Sequence, residues 1–507
     1  MRYSGILMHV SSLPNKYGIG TFGKEAYDFV DFLNKAKQKY WQILPLGPTS
    51  YGDSPYQAFS AFAGNPYFID FDLLNKDGLL KKSDYKEYQY KDKKVNYEWL
   101  YKTRFIVLEK AYKRFDKNIK DYIKFIEDNK GWLDDYSLFM AIKNEEVEGN
   151  WLGWKKCYRT RSANAISEFK KNNEEKIEFW KFVQYEFYKQ WFNLKHYANS
   201  LGIEIIGDMP IYVAFDSSDV WSNPKYFQLD KDLNPVEVAG CPPDAFTPDG
   251  QLWGNPLYNY DLMEKEGYKW WIERIKASLT LFDVVRIDHF RGFEAYYAIP
   301  NGDVNARRGK WKLGPNVKLF NKVKEVLGDC KIIAEDLGFL TEEVHIMLKE
   351  CGYPGMEILE FGFDASGDSD YAPHNHKKNA ICYPGTHDNH PVGGWLDTLD
   401  EENLGYVKKY LMAPKKVSKD KLIDLIIASC LGSVSDTAIV PLVDYLHLGN
   451  EARFNTPSTL GDHNWTWRVE KRALNDKLIE KIKDMTITYR RAKWKDLLKL
   501  VNTKLEN

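Results

Sequence analysis

The chain predicts an α/β fold, a (β/α)8 TIM barrel enlarged by insertions, on three observations. Eight short apolar runs, each suited to a strand buried on both faces, alternate with helical patterns. Polar residues close several of these runs where a barrel would place its mouth. With 507 residues and 44% hydrophobic content, the chain can fill one large core with segments to spare.

Taken in order, the first run is "GILMHV" (5–10) and the second "YWQILPL" (40–46). A long interval follows, in which 76–150 is rich in Lys, Asp and Tyr and helical in pattern ("YEWLYKTRFIVLEKAYKRF"), so a helical subdomain is expected over 74–176. At 177–200, Trp180, Val183, Phe187, Trp191 and Leu194 recur at three- and four-residue spacing and Gly202 supplies a stop, which predicts a helix feeding the third run, "IEIIGDM" (203–209). Residues 216–265 read as a Pro, Gly and aromatic loop subdomain. The remaining runs are "DVVRID" (283–288), "KIIAED" (331–336), "MEILEF" (356–361), "NAICYPGTHD" (379–388) and "AIVPLVD" (438–444), with a helical insertion over 397–437. Periodicity alone would also allow a doubly wound sheet; eight strands fit the barrel better. No repeat or low-complexity tract divides the chain, so 1–507 is expected to be a single barrel with its insertions.

Composition excludes several classes of partner. Lys+Arg is 71 and Asp+Glu is 72, a formal net charge of −1, and neither end is a charged tail that would point to nucleic acid or a membrane surface. The N-terminal "GILMHV" is too short for a signal sequence and no later stretch approaches a membrane span, so a cytoplasmic location is expected. Six cysteines without any C-x-x-C pair argue against zinc and against a disulfide framework. Aromatic residues reach 15%, with 16 Trp and 33 Tyr, and many lie in Gly/Pro-rich loops such as "GQLWGNPLYNY" and "HNWTWRV". Loop aromatics in that number suit a flat, amphipathic ligand such as a sugar ring.

The run ends carry the chemistry. Asp208 closes the third run, Arg286 and Asp288 the fourth, Glu335 and Asp336 the fifth, His387 and Asp388 the seventh. Side chains two apart on a strand share a face, so Arg286 and Asp288 aim opposite charges at one spot. Carboxylates with an arginine, and no phosphate loop or serine-nucleophile motif, suit the splitting of a glycosidic bond. In that reading Arg286 lowers the pKa of Asp288 and keeps it an ionised nucleophile. Glu335, desolvated after "IIA", has its pKa raised and serves as general acid/base. Asp388, beside His387, bonds sugar hydroxyls and favours the distorted ring. Three other readings compete: a structural Arg–Asp ion pair, a metal-dependent barrel hydrolase built on "HDNH" (387–390) with His374 and His376, and a carbohydrate-binding protein without activity.

Four stretches, "IIGDMPIYV", "DVVRIDHFRG", "IIAEDLG" and "GTHDN", resemble the signature regions of the α-amylase superfamily in the forms used by the 4-α-glucanotransferase (amylomaltase, disproportionating enzyme) family. "GILMHVSSLPNKYGIGTFG", "LPLGPTSYGDSPYQAFSAFAGNPYFID", "AGCPPDAFTPDGQLWGNPLY" and "RFNTPSTLGDHNW" extend the resemblance from end to end. It implies a retaining double displacement on α-1,4-glucans, with maltooligosaccharides as donor and acceptor and no metal or organic cofactor. It implies Asp288 as nucleophile, Glu335 as acid/base and Asp388 as transition-state stabiliser. It implies Arg286, His387 and Asp208 holding the donor sugar, Ser54 and Tyr56 touching it with Tyr56 as the stacking ring, and Gln251, Trp253, Asp336 and Asn455 along the groove. The loop 239–255 corresponds to a lid over that groove, and no separate C-terminal β-domain is implied. Two positions depart from the pattern: His390-Pro391 follows "GTHDN" where a small residue and Thr are expected, and Ala245 stands where the family often has an aromatic residue. Transfer in place of hydrolysis rests on the resemblance, since both share the glycosyl-enzyme intermediate.

Overall fold

The computed structural model describes residues 2–50, 52–90, 92–146, 149–243, 247–338, 340–367, 369–461 and 463–493. Eight parallel strands form the barrel sheet: β1 (Tyr3–Leu7), β2 (Tyr40–Gln42), β3 (Glu204–Met209), β4 (Val284–Ile287), β5 (Ile332–Ala334), β6 (Gly355–Ile358), β7 (Ala380–Tyr383) and β8 (Thr437–Pro441). Their order is β6-β7-β8-β1-β2-β3-β4-β5. The seam between β5 and β6 is closed by Ala334 N–H donating to Pro354 O at 2.9 Å and Met356 N–H donating to the Asp336 carboxylate at 2.7 Å. Gly355 is required there, because a Cβ would come within 2.2 Å of Asp336 Oδ2.

Alternation along each strand divides the core in two. Leu7, Ile206, Val284, Ile333, Ile381 and Ile439 pack together inside the barrel. Their chain neighbours Ile6, Ile205, Val285, Ile332, Cys382 and Ala438 belong to the larger core beneath the helices. Two residues beyond the apolar interior positions Ile206 and Val284 stand Asp208 and Arg286, on the same inward faces. The barrel therefore has an apolar floor and a charged upper layer.

The expected helix at 177–200 is Glu174–Ser200, which leads into β3. Within 74–176 lie Tyr97–Tyr112, Lys120–Glu145 and Ala163–Asn172. The first two seat rings on the long helix, Tyr112 on Phe182 and Tyr136 on Trp180. The segment 216–265, expected as loop, instead contributes two strands, Glu237–Cys241 and Gln251–Pro256, to a four-stranded antiparallel sheet completed by Ala295–Pro300 and Lys310–Leu313. The two strands pair with each other and Glu237–Cys241 also with the distant Ala295–Pro300, but Gly and Pro residues mask the alternation, so local pattern did not show them. In 397–437 the helices are Glu401–Tyr410 and Lys419–Gly432; the second packs on β7 and β8, as a barrel crossover does. The sixth and seventh runs stop short of the expected ends. β6 turns into the short helix Leu359–Gly362, and β7 ends ahead of Pro384, which cannot donate to a ladder. No helix among the described residues is long and apolar enough to cross a membrane.

Candidate active site

Asp208 and Arg286 are paired in register across β3 and β4. The Arg286 guanidinium donates to Asp208 Oδ2 at 2.6 Å and Oδ1 at 2.8 Å, and to Asp288 Oδ1 at 3.1 Å. Asp288 thus shares the cation, as the spacing predicts, with a second carboxylate from the neighbouring strand. Asp208 also accepts from Tyr56 Oη at 2.8 Å, and the Tyr56 ring lies on His387 with centroids 5.2 Å apart and planes 11° apart. Ser54 Oγ accepts from Tyr56 N–H at 3.2 Å, holding the turn that presents the ring.

Glu335 follows β5 and is buried. Its two carboxylate oxygens accept backbone N–H groups, Oε2 from His289 at 2.6 Å and Oε1 from Leu337 at 2.9 Å. His289 adopts a left-handed backbone (φ 50°), which turns its N–H onto the carboxylate directly after Asp288. The loop after β7 holds Asp388. There Asn455 Nδ2 donates to its Oδ1 at 2.7 Å, and His387 Nε2 lies 3.2 Å from its Oδ2.

The electrostatics separate the three acids. Burial raises Glu335 to about 7, with Asp288 adding to the rise and Arg286 opposing it. Burial also raises Asp288, to about 6, against the pull of Arg286 and helped by Asp208 and Asp388. Arg286 does lower it, as expected, but the net shift is upward, because Arg286 divides its charge between two carboxylates and desolvation outweighs it. For Asp388 burial is overcome by His387 and the Asn455 amide, which bring it down to about 2. Glu335 and Asp288 are thus raised together, while Asp388 is held low.

On the four-stranded sheet, Trp253 Nε1 donates to Gln251 Oε1 at 3.0 Å and the Trp253 ring stands edge-on to His289 at 4.9 Å. Asp336, expected along the groove, has its carboxylate engaged at the β5–β6 seam. Ala245 lies outside the described residues, as does part of the 239–255 loop. The four histidines that might have gathered a metal are separated: His374 bonds Tyr410 Oη, His376 bonds Ser433 Oγ, His390 bonds Asn450 Oδ1, and His387 stacks on Tyr56. No group of three or more potential ligands suited to a metal ion occurs among the described residues.

A profile of the 4-alpha-glucanotransferase family matches residues 8–474. The chain belongs to the 4-alpha-glucanotransferase family. It is 52% identical to the 4-alpha-glucanotransferase of Clostridium butyricum over 96% of this chain and 100% of that one. It is 48% identical to that of Streptococcus pneumoniae serotype 4 over 97% of each. Among solved structures it resembles an amylomaltase from Streptococcus agalactiae in complex with acarbose, at 43% identity and a TM-score of 0.94, covering 97% of this chain and 100% of that one. The activity of the family is that of a 4-alpha-glucanotransferase, the reading favoured over a hydrolase.

Three residues at the site went unassigned in the sequence. His289 sits inside the "DVVRIDHFRG" stretch, but only its φ shows that it bonds Glu335. Trp465, one of the loop aromatics, packs on Tyr56 at 5.7 Å and on His387 at 6.1 Å. Arg453 donates to the Asp388 carbonyl at 2.6 Å, a contact between segments that no local pattern links.

Proposed function

We propose that the enzyme transfers a segment of a 1,4-α-D-glucan to the 4-hydroxyl of glucose or a maltooligosaccharide by two displacements at Asp288. Asp288 attacks C1 of the donor sugar while Glu335 protonates the departing glycosidic oxygen; Glu335, now ionised, then takes the proton of the acceptor hydroxyl as it displaces Asp288. Asp388 stabilises the oxocarbenium-like ring, and Arg286, Asp208 and His387 hold the donor sugar. Tyr56 stacks on that sugar; Ser54, Gln251, Trp253 and Asn455 line the groove. The observation that carries this reading is geometric: Asp288 and Glu335 follow the neighbouring strands β4 and β5, Arg286 bridges Asp208 and Asp288, and the N–H of His289, the residue after Asp288, donates to Glu335 Oε2 at 2.6 Å.

Transfer beats hydrolysis when an acceptor is bound where water would otherwise attack. Trp253 and His289 supply an aromatic wall next to the segment that holds Glu335. Cytoplasmic residence is part of the proposal, in keeping with six free cysteines.

The test is incubation with maltotriose followed by chromatography. A ladder of longer maltooligosaccharides with glucose is expected, and Asp288→Asn, Glu335→Gln and Asp388→Asn should each lower it by several orders of magnitude at unchanged thermal stability. Maltose and glucose alone would contradict transfer; near-normal turnover in any of the three variants would remove that residue's role.

A further inference from the structure

Asp388 reaches the mouth on a loop that largely supports itself: Asn389 Oδ1 accepts from Thr386 N–H at 2.9 Å and Thr386 Oγ1 at 2.8 Å, while Thr386 Oγ1 accepts from Asp388 N–H at 3.3 Å. What fixes this loop against the rest of the mouth is Arg453. Its Nη2 donates to the Asp388 carbonyl at 2.6 Å and its Nε donates to the Asn455 carbonyl at 2.7 Å. Asn455 in turn donates from Nδ2 to Asp388 Oδ1 at 2.7 Å. These contacts close a ring in which the guanidinium sets the distance between the two residues whose side chains meet.

The third arm of Arg453 points at His390, the residue that departs from the family pattern. Arg453 Nη1 lies 3.1 Å from His390 Nε2 and 3.3 Å from Nδ1, so this arm of the guanidinium rests over the imidazole face. An amide oxygen only accepts, so His390 Nδ1 donates to Asn450 Oδ1 at 2.7 Å and the ring is held in place beneath Arg453. His390 therefore links the guanidinium to Asn450, at the start of the 3-10 turn Asn450–Ala452. A small residue at 390 could not make that link. The planar fork matters as well, since a guanidinium can donate to two carbonyls and lay its third arm on a ring face at once.

We infer that Arg453, braced by His390, is a positioning residue that holds Asp388 and Asn455 at the geometry the transferred sugar requires, without touching that sugar. This rests on the role proposed for Asp388. Displacing a charged stabiliser by even 1 Å is enough to lower turnover on the order of 10²-fold while leaving ground-state binding nearly intact.

The experiment compares Arg453→Met, Arg453→Ala, His390→Ala and His390→Phe with the parent enzyme and with Asp388→Asn, in maltotriose disproportionation with kcat and KM separated and thermal unfolding followed in parallel. Arg453→Met should lose ~10²-fold in kcat with KM changed by less than about threefold, and added guanidinium ion should restore part of the activity of Arg453→Ala. His390→Ala, which removes both the ring beneath Arg453 and the bond to Asn450, should lose about tenfold in kcat, whereas His390→Phe, which keeps a ring face for the guanidinium, should lose less. A folded Arg453→Met with parental kcat would overturn the inference; if that variant does not fold, parental kcat in His390→Ala would do so. Full turnover in Asp388→Asn would instead overturn the role of Asp388 itself.

Discussion

Arg286 serves two carboxylates with one guanidinium, at 2.6 Å from Asp208 and 3.1 Å from Asp288. Because Asp208 takes the shorter contacts, Asp288 is left with a partial share of the positive charge and a pKa raised by burial to about 6. The arrangement suits the nucleophile proposed for Asp288, which must be ionised at working pH yet basic enough to attack.

The pH profile follows from that arrangement. In the proposed mechanism Asp288 acts ionised and Glu335 protonated, so kcat/KM should fall below about 6 and above about 7, the two limbs belonging to the coupled pair. Asp208 raises Asp288, so Asp208→Asn should move the acid limb to lower pH while reducing the rate. An initial-rate profile on maltotriose checks this; an acid limb displaced upward would contradict it.

Trp253 bears on what attacks the intermediate. Its ring stands against His289, whose N–H holds Glu335. Trp253→Ala should open the acceptor side to water and raise the ratio of reducing sugar released to chains lengthened several-fold, on the order of 1 kcal/mol of partitioning. Unchanged partitioning on chromatography would place the dry wall elsewhere.

Asp444 tests the cost of buried acids to the fold. It follows β8, is buried, accepts from Val392 N–H at 2.8 Å, and is raised by burial to about 7. Between pH ~4 and ~7 the native state holds this proton and the unfolded chain does not, so Asp444 lowers stability as pH rises, by at most ~1.4 kcal/mol per unit. Asp444→Asn, which keeps an acceptor for Val392, should flatten the dependence of Tm on pH over that window and exceed the parent at pH 8. A parallel pair of Tm curves in calorimetry would contradict the assignment.

Much of the site was legible before any coordinates. Period-two alternation placed Arg286 and Asp288 on one face, desolvation after "IIA" predicted a raised Glu335, and the ordered motifs implied the family. Other features depended on partners far away in the chain. Gln251 and Trp253 sit on a strand of a sheet completed by 295–300 and 310–313, and a segment rich in Gly and Pro does not reveal such pairing. Asp336 reads as one more acid at a strand end, yet its carboxylate accepts from Met356 across the seam where the sheet closes.

The sequence by itself determined which side chains face the barrel interior and which residue types crowd its mouth, because strand alternation and hydrophobic run length are local properties. Only the tertiary structure decided that Asp208 stands opposite Arg286, that burial outweighs that arginine at Asp288, and that Arg453 and His390 brace Asp388. Strand register, local dielectric and contacts between distant loops arise from how the whole chain packs, and no window of neighbouring residues contains them.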